Sequence, residues 1–171
     1  MRTGRSEQRL LEELRGIDTP TASNAIELLG VRDRWDGFVG REIRCIFPHM
    51  GVRVGYAATL TFSEARSEYL KLEPFADLDH IAATAKPVVV VCQDVSAPEF
   101  YARGCLFGEV RTTRYKVMGV AAVITDGVIR DLDEIDRLGV QYFAGGVAAS
   151  HGNLMVRQVG VPVGIAGLRV E

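Results

Sequence analysis

The 171-residue sequence has no closely spaced cysteines and no long apolar run. Its three cysteines, Cys45, Cys92 and Cys105, are odd in number and lack a CxxC spacing, so we interpret them as reduced thiols. No apolar stretch approaches the roughly 20 residues of a membrane helix, and the polar N-terminus is not a secretory signal. We therefore expect a cytoplasmic protein with no membrane partner.

Charge of one sign and metal-binding clusters are also lacking. The formal net charge is −2, which gives no argument for nucleic acid as a partner. The three histidines, His49, His80 and His151, are scattered, so no zinc pattern is present. The sequence therefore predicts neither a nucleic-acid-binding protein nor a zinc protein.

Motifs for phosphate binding and nucleophilic catalysis are absent as well. The stretch GGVAASHG at 145–152 lacks the ending of a P-loop and the GxGxxG spacing, so we interpret it as a glycine-rich turn. Ser150 and His151 have no convincing third partner and do not indicate a hydrolase. Cys105 precedes a predicted helix, which could lower its pKa, but a small packed side chain is the favoured interpretation.

The first half of the chain predicts two helices followed by strands. Residues 5–15 have the pattern of an amphipathic helix. A second helix is predicted over 18–30, where Asp18 or Thr19 caps the start and Gly30 closes the end. The remaining elements predicted before residue 86 are strands at 42–47 and 52–62 and a helix, broken at Pro74, over 63–85.

The second half predicts a parallel sheet, because short apolar runs alternate with helical segments. The predicted strands are 87–92, 120–125 and 140–144, and the predicted helices are 109–118 and 131–138. This spacing implies parallel strands joined by right-handed crossovers, and residues 155–171 predict a β-hairpin. The expected fold class is α/β, a single domain with a parallel β-α-β-α-β core and additional β-hairpins.

Glu109 and the Arg130–Asp131 pair are the candidate site residues. The helix over 110–118, at about 1.5 Å per residue, carries the chain about 14 Å away from the carboxyl edge of the sheet. The strand over 120–125, at about 3.3 Å per residue, returns it by about 20 Å. Because the two lengths nearly cancel, we expect these residues to meet at the edge where ligands of open α/β sheets bind.

The residue types suit a ligand with a carboxylate and a metal-binding oxygen. The N–H groups of Glu109, Val110 and Arg111 at the helix start can hold an anion. Arg130 offers a planar fork that matches a carboxylate. Asp131 and Glu109 carry hard oxygens suited to Mg²⁺ or Mn²⁺.

Structural explanations compete with this site. Asp131, with Glu134 three residues later, has the pattern of a helix cap. Glu109 near a helix start is favourable for the helix dipole whatever the function, and Arg130 on a surface loop is usually solvated. A capping aspartate can also bind metal, so the residues alone leave both interpretations open.

The stretch GEVRTTRYKVMGVAAVITDGVIRDLDEIDRLGVQYFAGGVAASHG resembles the RraA-like family, which includes the class II 4-hydroxy-4-methyl-2-oxoglutarate / 4-carboxy-4-hydroxy-2-oxoadipate aldolases. The aldolase motif is an acidic residue, twenty residues, Arg-Asp, two residues, then Glu or Asp. It is matched in full by Glu109, Arg130, Asp131 and Glu134. The ribonuclease-regulating members lack the Asp, so its presence favours the metal-dependent enzymes.

The resemblance implies a swivelling α/β/β layered domain and a set of residue roles. Arg130, helped by the backbone amides from Gly108 to Arg111, would bind the carboxylate of a small 2-keto acid. Asp131 would hold Mg²⁺ or Mn²⁺, Glu109 would reach the metal through water, and Glu134 would orient the water shell or Arg130. The implied reactions are retro-aldol cleavage of 4-hydroxy-2-oxo dicarboxylates and oxaloacetate decarboxylation, which share a pyruvate enolate.

The end of the chain departs from the family pattern. Relatives usually continue for several dozen residues beyond the equivalent of VGIAGLRVE, through a segment with a carboxylate that reaches a neighbouring subunit's site. We therefore expect a domain over 1–171 without that segment, assembled as a homotrimer or homohexamer. Two alternatives remain: a non-catalytic RraA-type regulator that binds an RNA-processing enzyme, and a small-molecule-binding scaffold without turnover.

Overall fold

The computed structural model describes residues 4–66, 68–69, 72–73 and 75–171. Its helices are α1 (Gly4–Arg15), α2 (Thr19–Leu29), α3 (Ala76–Ala83), α4 (Glu109–Val117) and α5 (Leu132–Leu138). Its strands are β1 (Arg44–Cys45), β2 (Tyr56–Glu64), β3 (Val88–Asp94), β4 (Val120–Ile129), β5 (Gln141–Val147), β6 (Leu154–Val159), β7 (Val163–Ile165) and β8 (Leu168–Val170). Within these described ranges, no helix is long and apolar enough to cross a membrane.

Six strands form one mostly parallel sheet in the order β1-β5-β4-β3-β2-β6. The four central strands, β2 to β5, run parallel to one another. Antiparallel strands close both edges, β6 beside β2 and β1 beside β5. The predicted α/β class and the parallel β-α-β-α-β core are confirmed.

Both faces of the sheet are buried, which explains the continuous apolar runs of the central strands. On one face, Val88 and Val90 of β3 share a core with side chains of α3, α4 and α5. On the other face, Val91 packs against Val163 and Ile165 of the β7–β8 hairpin. The result is three layers, helices on sheet on hairpin.

The prediction of a helix in two pieces over 63–85 is wrong in its first piece. Ser63 and Glu64 extend β2, because they pair with Met155 and Leu154 of β6. Among the described residues of this range, only α3 is helical. Pro74, where the break was predicted, lies outside the described residues.

The predicted hairpin over 155–171 is also wrong in part. Its first strand, β6, pairs with β2 in the main sheet, and the hairpin consists of β7 and β8 alone. Ala166 and Gly167 form its two-residue turn, with φ of 44° and 91°, as tight hairpin turns require. The alternation of apolar residues predicts where strands lie but not which strands pair.

The helix predicted over 18–30 is confirmed with both of its ends. Asp18 caps α2, since its Oδ1 accepts the N–H of Thr21 at 2.8 Å, and Gly30 follows with φ of 61°. The strand predicted at 42–47 shrinks to β1. The one predicted at 52–62 begins only at Tyr56.

Candidate functional site

The site lies where β4 extends beyond β3. The last paired residues of β3 and β4 are Cys92 and Thr125, yet β4 continues to Ile129. Beyond that point Phe107 takes the place of β3, in a parallel bridge with Ile129. The N–H of Arg130 donates to the carbonyl oxygen of Phe107 at 3.1 Å. The segment that starts α4 is therefore held against the end of β4.

Glu109 and the Arg130–Asp131 pair meet at this point. The Oδ2 of Asp131 accepts the backbone N–H of Glu109 at 2.9 Å and lies 3.4 Å from Nε of Arg130. This confirms the prediction that the two ends of the motif return to one edge of the sheet. The contact uses the backbone of Glu109, whose side chain is exposed.

Asp131 caps a different helix from the one predicted. Its backbone is left-handed, with φ of 57° and ψ of 48°, and its carbonyl oxygen accepts the first N–H bond of α5, from Ile135. Its side chain makes no capping bond to α5 and turns to α4 instead. Glu134 accepts from Nη2 of Arg137 at 2.8 Å. The predicted cap pattern of Asp131 and Glu134 therefore does not form.

Gly108 is required by space rather than by backbone conformation. Its φ of −154° is extended and open to any residue. A Cβ at this position would lie 2.5 Å from Oδ2 of Asp131 and 3.1 Å from Nε of Arg130. The absence of a side chain is therefore what lets the Arg-Asp pair approach the start of α4. The sequence predicts only a backbone amide from Gly108 and not this need for space.

The first turn of α4 retains donors for a ligand. The N–H of Glu109 is engaged by Asp131, whereas those of Val110 and Arg111 lie in the turn where a helix provides no acceptor of its own. These donors point toward the helix N-terminus, where the dipole favours an anion. Arg130 is about one-third exposed, so its guanidinium is accessible beside them.

Buried contacts fix α4 to its neighbours. The side chain of Arg111 forms an ion pair with Asp77 of α3, and the hydroxyl of Tyr115 donates to the same carboxylate at 3.0 Å. Burial raises the pKa of Tyr115 well above its usual value, so the phenol stays protonated. Thr112 donates from Oγ1 to the carbonyl oxygen of Gly108 at 2.8 Å. These contacts hold α4 against α3.

Cys105 is a packed side chain beside the site. It is 3% exposed, and its Sγ lies 3.2 Å from the carbonyl oxygen of Ser150. Burial raises the pKa of its thiol, opposed by the charge of Arg130 and reinforced by that of Asp131. The alternative of a thiol activated by a helix N-terminus is not supported.

The donor set suits a mostly hydrated cation. In the part of the chain that the structure describes, no three His, Cys, Asp or Glu side chains are grouped so as to hold a metal. Mg²⁺ keeps several waters and commonly uses only one or two carboxylates together with its substrate. Asp131, with Glu109 at the same edge, matches that requirement. Glu134 is paired with Arg137 on α5.

Two further carboxylates, one buried and one half-buried, lie on β3 and β4. Asp94 ends β3, and Asp126 lies within β4 at an irregularity between Thr125 and Val128. The sequence signal was the Asp126–Gly127 dipeptide inside an apolar strand, a pattern typical of a bulge. The sequence predicts strands that end at 92 and 125, which leaves both carboxylates outside them.

A protein-family model described as RraA-like, Aldolase/RraA, matches residues 14–171. No curated protein sequence matches the chain. The fold is similar to that of an uncharacterized protein from Pseudomonas syringae pv. tomato, with a TM-score of 0.70 at 22% identity over 96% of this chain and 69% of that chain.

Two further similar structures are RraA proteins. Streptomyces coelicolor RraAS2, described as an unusual member of the RNase ES inhibitor RraA family, has a TM-score of 0.64 at 22% identity over 94% of this chain and 75% of that chain. The RNA-processing inhibitor RraA from Thermus thermophilis has a TM-score of 0.58 at 17% identity over 86% and 80%. At these identities the likeness shows a shared fold.

Proposed function

This chain belongs to the RraA-like family, Aldolase/RraA, and we propose that it is a divalent-metal-dependent lyase acting on a small 2-keto dicarboxylate. The family includes both metal-dependent aldolases and non-catalytic RNase E inhibitors, so membership alone does not decide the activity. The observation that carries the proposal is the meeting of Asp131, Arg130 and the first N–H of α4 within 3.4 Å.

Arg130 and the first turn of α4 bind the substrate's carboxylate in this proposal. The guanidinium provides a planar pair of donors, and the N–H groups of Val110 and Arg111 provide two more with the favourable end of the helix dipole. Because Arg111 and Tyr115 tie α4 to Asp77, these donors are oriented before the ligand arrives.

Asp131 would hold the metal, and Glu109 would reach it through water. When bound, Mg²⁺ or Mn²⁺ would supply positive charge to the 2-keto oxygen and to the enolate that forms as the C–C bond breaks. Asp131 is oriented by two contacts, the N–H of Glu109 and the guanidinium of Arg130. Such supporting contacts fix the direction in which a carboxylate presents its oxygens.

The decisive experiment measures pyruvate release from oxaloacetate and from 4-hydroxy-4-methyl-2-oxoglutarate, with Mg²⁺, with Mn²⁺ and after chelation. We expect metal-dependent release from at least one substrate, and binding of Mn²⁺ to the wild type detectable by electron paramagnetic resonance. No release from either substrate, with or without metal, would contradict the proposal.

A non-catalytic role in binding an RNA-processing enzyme is the second candidate. It is favoured by an exposed apolar surface on α2 and the segment after it, which includes Leu28, Val31 and Trp35, the last 89% exposed. Apolar surface of this kind marks protein contacts, and a second copy of this chain, as in a homotrimer or homohexamer, fits it equally. Sedimentation of the purified chain and capture of a ribonuclease by wild type and by Trp35→Ala separate the two.

A further inference from the structure

The segment that delivers Gly108 to the site is long and irregular. Residues 95–108 connect β3 to α4 and lie outside the helices and strands. Ala102, within this segment, has a left-handed backbone with φ of 54°, a conformation that costs a non-glycine residue about 1 kcal/mol or more. Such a segment holds one conformation only if its backbone is fixed by the surrounding structure.

Three carboxylates fix this backbone, two at the ends of β2 and β3 and one at the irregularity within β4. Asp94 accepts the N–H of Ser96 at 2.9 Å and that of Ala102 at 3.3 Å. Asp126, on β4, accepts the N–H of Asp94 itself at 2.7 Å. The third carboxylate, Glu64 on β2, accepts the N–H of Ala97 at 3.3 Å. Hydrogen bonds to a carboxylate are roughly twice as strong as those between neutral groups.

Asp94 and Asp126 are charged groups without basic partners. Asp94 is 6% exposed and Asp126 is half-buried. The ion pairs formed within the described residues include Glu64 with Arg66 but neither of these two aspartates. Burial of an unpaired carboxylate opposes folding. Their contribution is therefore the arrangement of the backbone groups that they bind.

We propose that Asp126 and Asp94 act in series as positioning residues for the first turn of α4. Asp126 fixes the end of β3, Asp94 fixes the turn up to Ala102, and the chain then reaches Gly108 in the position where Asp131 meets the N–H of Glu109. Both touch the site only through this backbone. The kinetic part of this inference rests on the proposed lyase function, whereas the structural part is independent of it.

The test compares Asp126→Ala with two other variants. Asp126→Asn keeps an oxygen that accepts the N–H of Asp94, so it should restore what alanine loses. Val88→Ala truncates a buried residue at the opposite end of β3 and controls for general destabilisation. Amide hydrogen exchange over residues 105–111 is the readout. We expect exchange there to be at least about tenfold faster in Asp126→Ala than in wild type or Val88→Ala, because local opening controls exchange.

Kinetics give the second readout. For oxaloacetate, Asp126→Ala should raise KM about tenfold, because donors displaced from the substrate bind it more weakly, while Asp126→Asn and Val88→Ala keep a KM near that of wild type. If Asp126→Ala does not fold, Asp94→Asn replaces it. This change removes one of the two acceptors of Asp94 and should speed exchange at Ala102 and over 105–111.

The outcomes distinguish this inference from the proposed function. Exchange over 105–111 no faster in Asp126→Ala, or in Asp94→Asn where that variant replaces it, than in Val88→Ala would overturn the positioning role, whether or not the wild type releases pyruvate. Faster exchange in Asp126→Ala with restoration by Asp126→Asn supports the positioning role, even if the wild type proves inactive and the lyase proposal fails.

Discussion

The two connections that build the site differ in kind. The connection from β4 to α5 consists of Arg130 and Asp131 alone, and both of its side chains face the start of α4. The connection from β3 to α4 spans 95–108 and reaches the site through Gly108 and backbone N–H groups. The short connection thus supplies charge, and the long one supplies donors and space. Substitutions in the short connection should act directly on chemistry, and those in the long one through position.

The largest effect is expected at Asp131. Asp131→Asn retains an oxygen for the N–H of Glu109 and tolerates the left-handed backbone, so the melting temperature should barely change. Loss of the negative charge required by a hard cation should reduce metal-dependent pyruvate release by orders of magnitude, about 10²-fold or more. The measurement is pyruvate release with Mg²⁺ beside thermal melts.

Asp131→Ala is the matched variant. It should lose the same activity and also about 2 kcal/mol of unfolding free energy, through the lost cap and the strained backbone. Full metal-dependent activity in Asp131→Asn would mean that Asp131 caps α4 and binds no metal.

Gly108→Ala tests whether space in the long connection matters as much as charge in the short one. The new Cβ would meet Oδ2 of Asp131 at 2.5 Å, so the carboxylate and Arg130 must move. We expect kcat/KM to fall by about 10²-fold, with little change in melting temperature because the backbone is extended. Gly146→Ala is the control, since its Cβ would meet Val128 at an ordinary 3.5 Å. Equal kcat/KM for the two variants would show that the site tolerates the displacement.

Arg130→Lys keeps the charge of the short connection and changes its geometry. A lysine ammonium cannot reproduce the paired donors of a guanidinium, so KM for the keto acid should rise about tenfold or more. A smaller change is expected in kcat. Steady-state kinetics over a range of oxaloacetate concentrations measure both, and an unchanged KM would remove Arg130 from carboxylate binding.

The smallest effect is expected on the pH dependence of stability, through the carboxylate of Asp126. Burial, reinforced by the nearby charge of Asp94 and opposed by the backbone N–H it accepts, raises the pKa of Asp126 from 3.8 to about 6. Because the folded protein then binds the proton more tightly than the unfolded chain, stability falls as pH rises from about 4 to about 6.

In Asp126→Asn the unfolding free energy should therefore depend less on pH between about 4 and about 6. At pH 7 it should be higher than in wild type by about 1 kcal/mol, allowing for partial exposure. Tyr101, which donates weakly to the carbonyl oxygen of Asp126, stays protonated throughout, since a phenol titrates at about 10 and partial burial raises its pKa further. Urea unfolding of both proteins between pH 4 and 8 tests this, and parallel profiles would contradict it.

The juxtaposition of Glu109 with Arg130–Asp131 could be predicted from element lengths. Two assumptions behind that prediction were nevertheless wrong, the length of β4 and the position from which α4 starts. β4 has 10 residues rather than the six predicted over 120–125, so at about 3.3 Å per residue it carries the chain roughly 33 Å. α4 still covers only about 14 Å. The mismatch is absorbed because 95–108 starts α4 beyond the end of β3, beside Ile129.

What could not be predicted depends on partners that are distant in sequence. The cap made by Asp131 joins residues 22 apart. The local spacing of Asp131 and Glu134 instead predicted a cap of α5. The carboxylates of Asp94 and Asp126 resemble ordinary strand ends until the segment that they bind is in place. β6 follows the same apolar alternation as the hairpin strands, yet it pairs with β2, which is distant in sequence, at the edge of the main sheet.

Asp131 also determines whether this site could be transferred to another protein. Its carbonyl oxygen accepts the first N–H bond of α5, and its carboxylate accepts the N–H of Glu109 at the start of α4. The starts of the two helices are therefore joined through one residue. A designer who wished to transplant the site onto another parallel sheet would need a left-handed residue between strand and helix and a glycine facing it. Two separately capped helices would not reproduce it, because they would lack the hydrogen bond that joins the start of one helix to the first turn of the other.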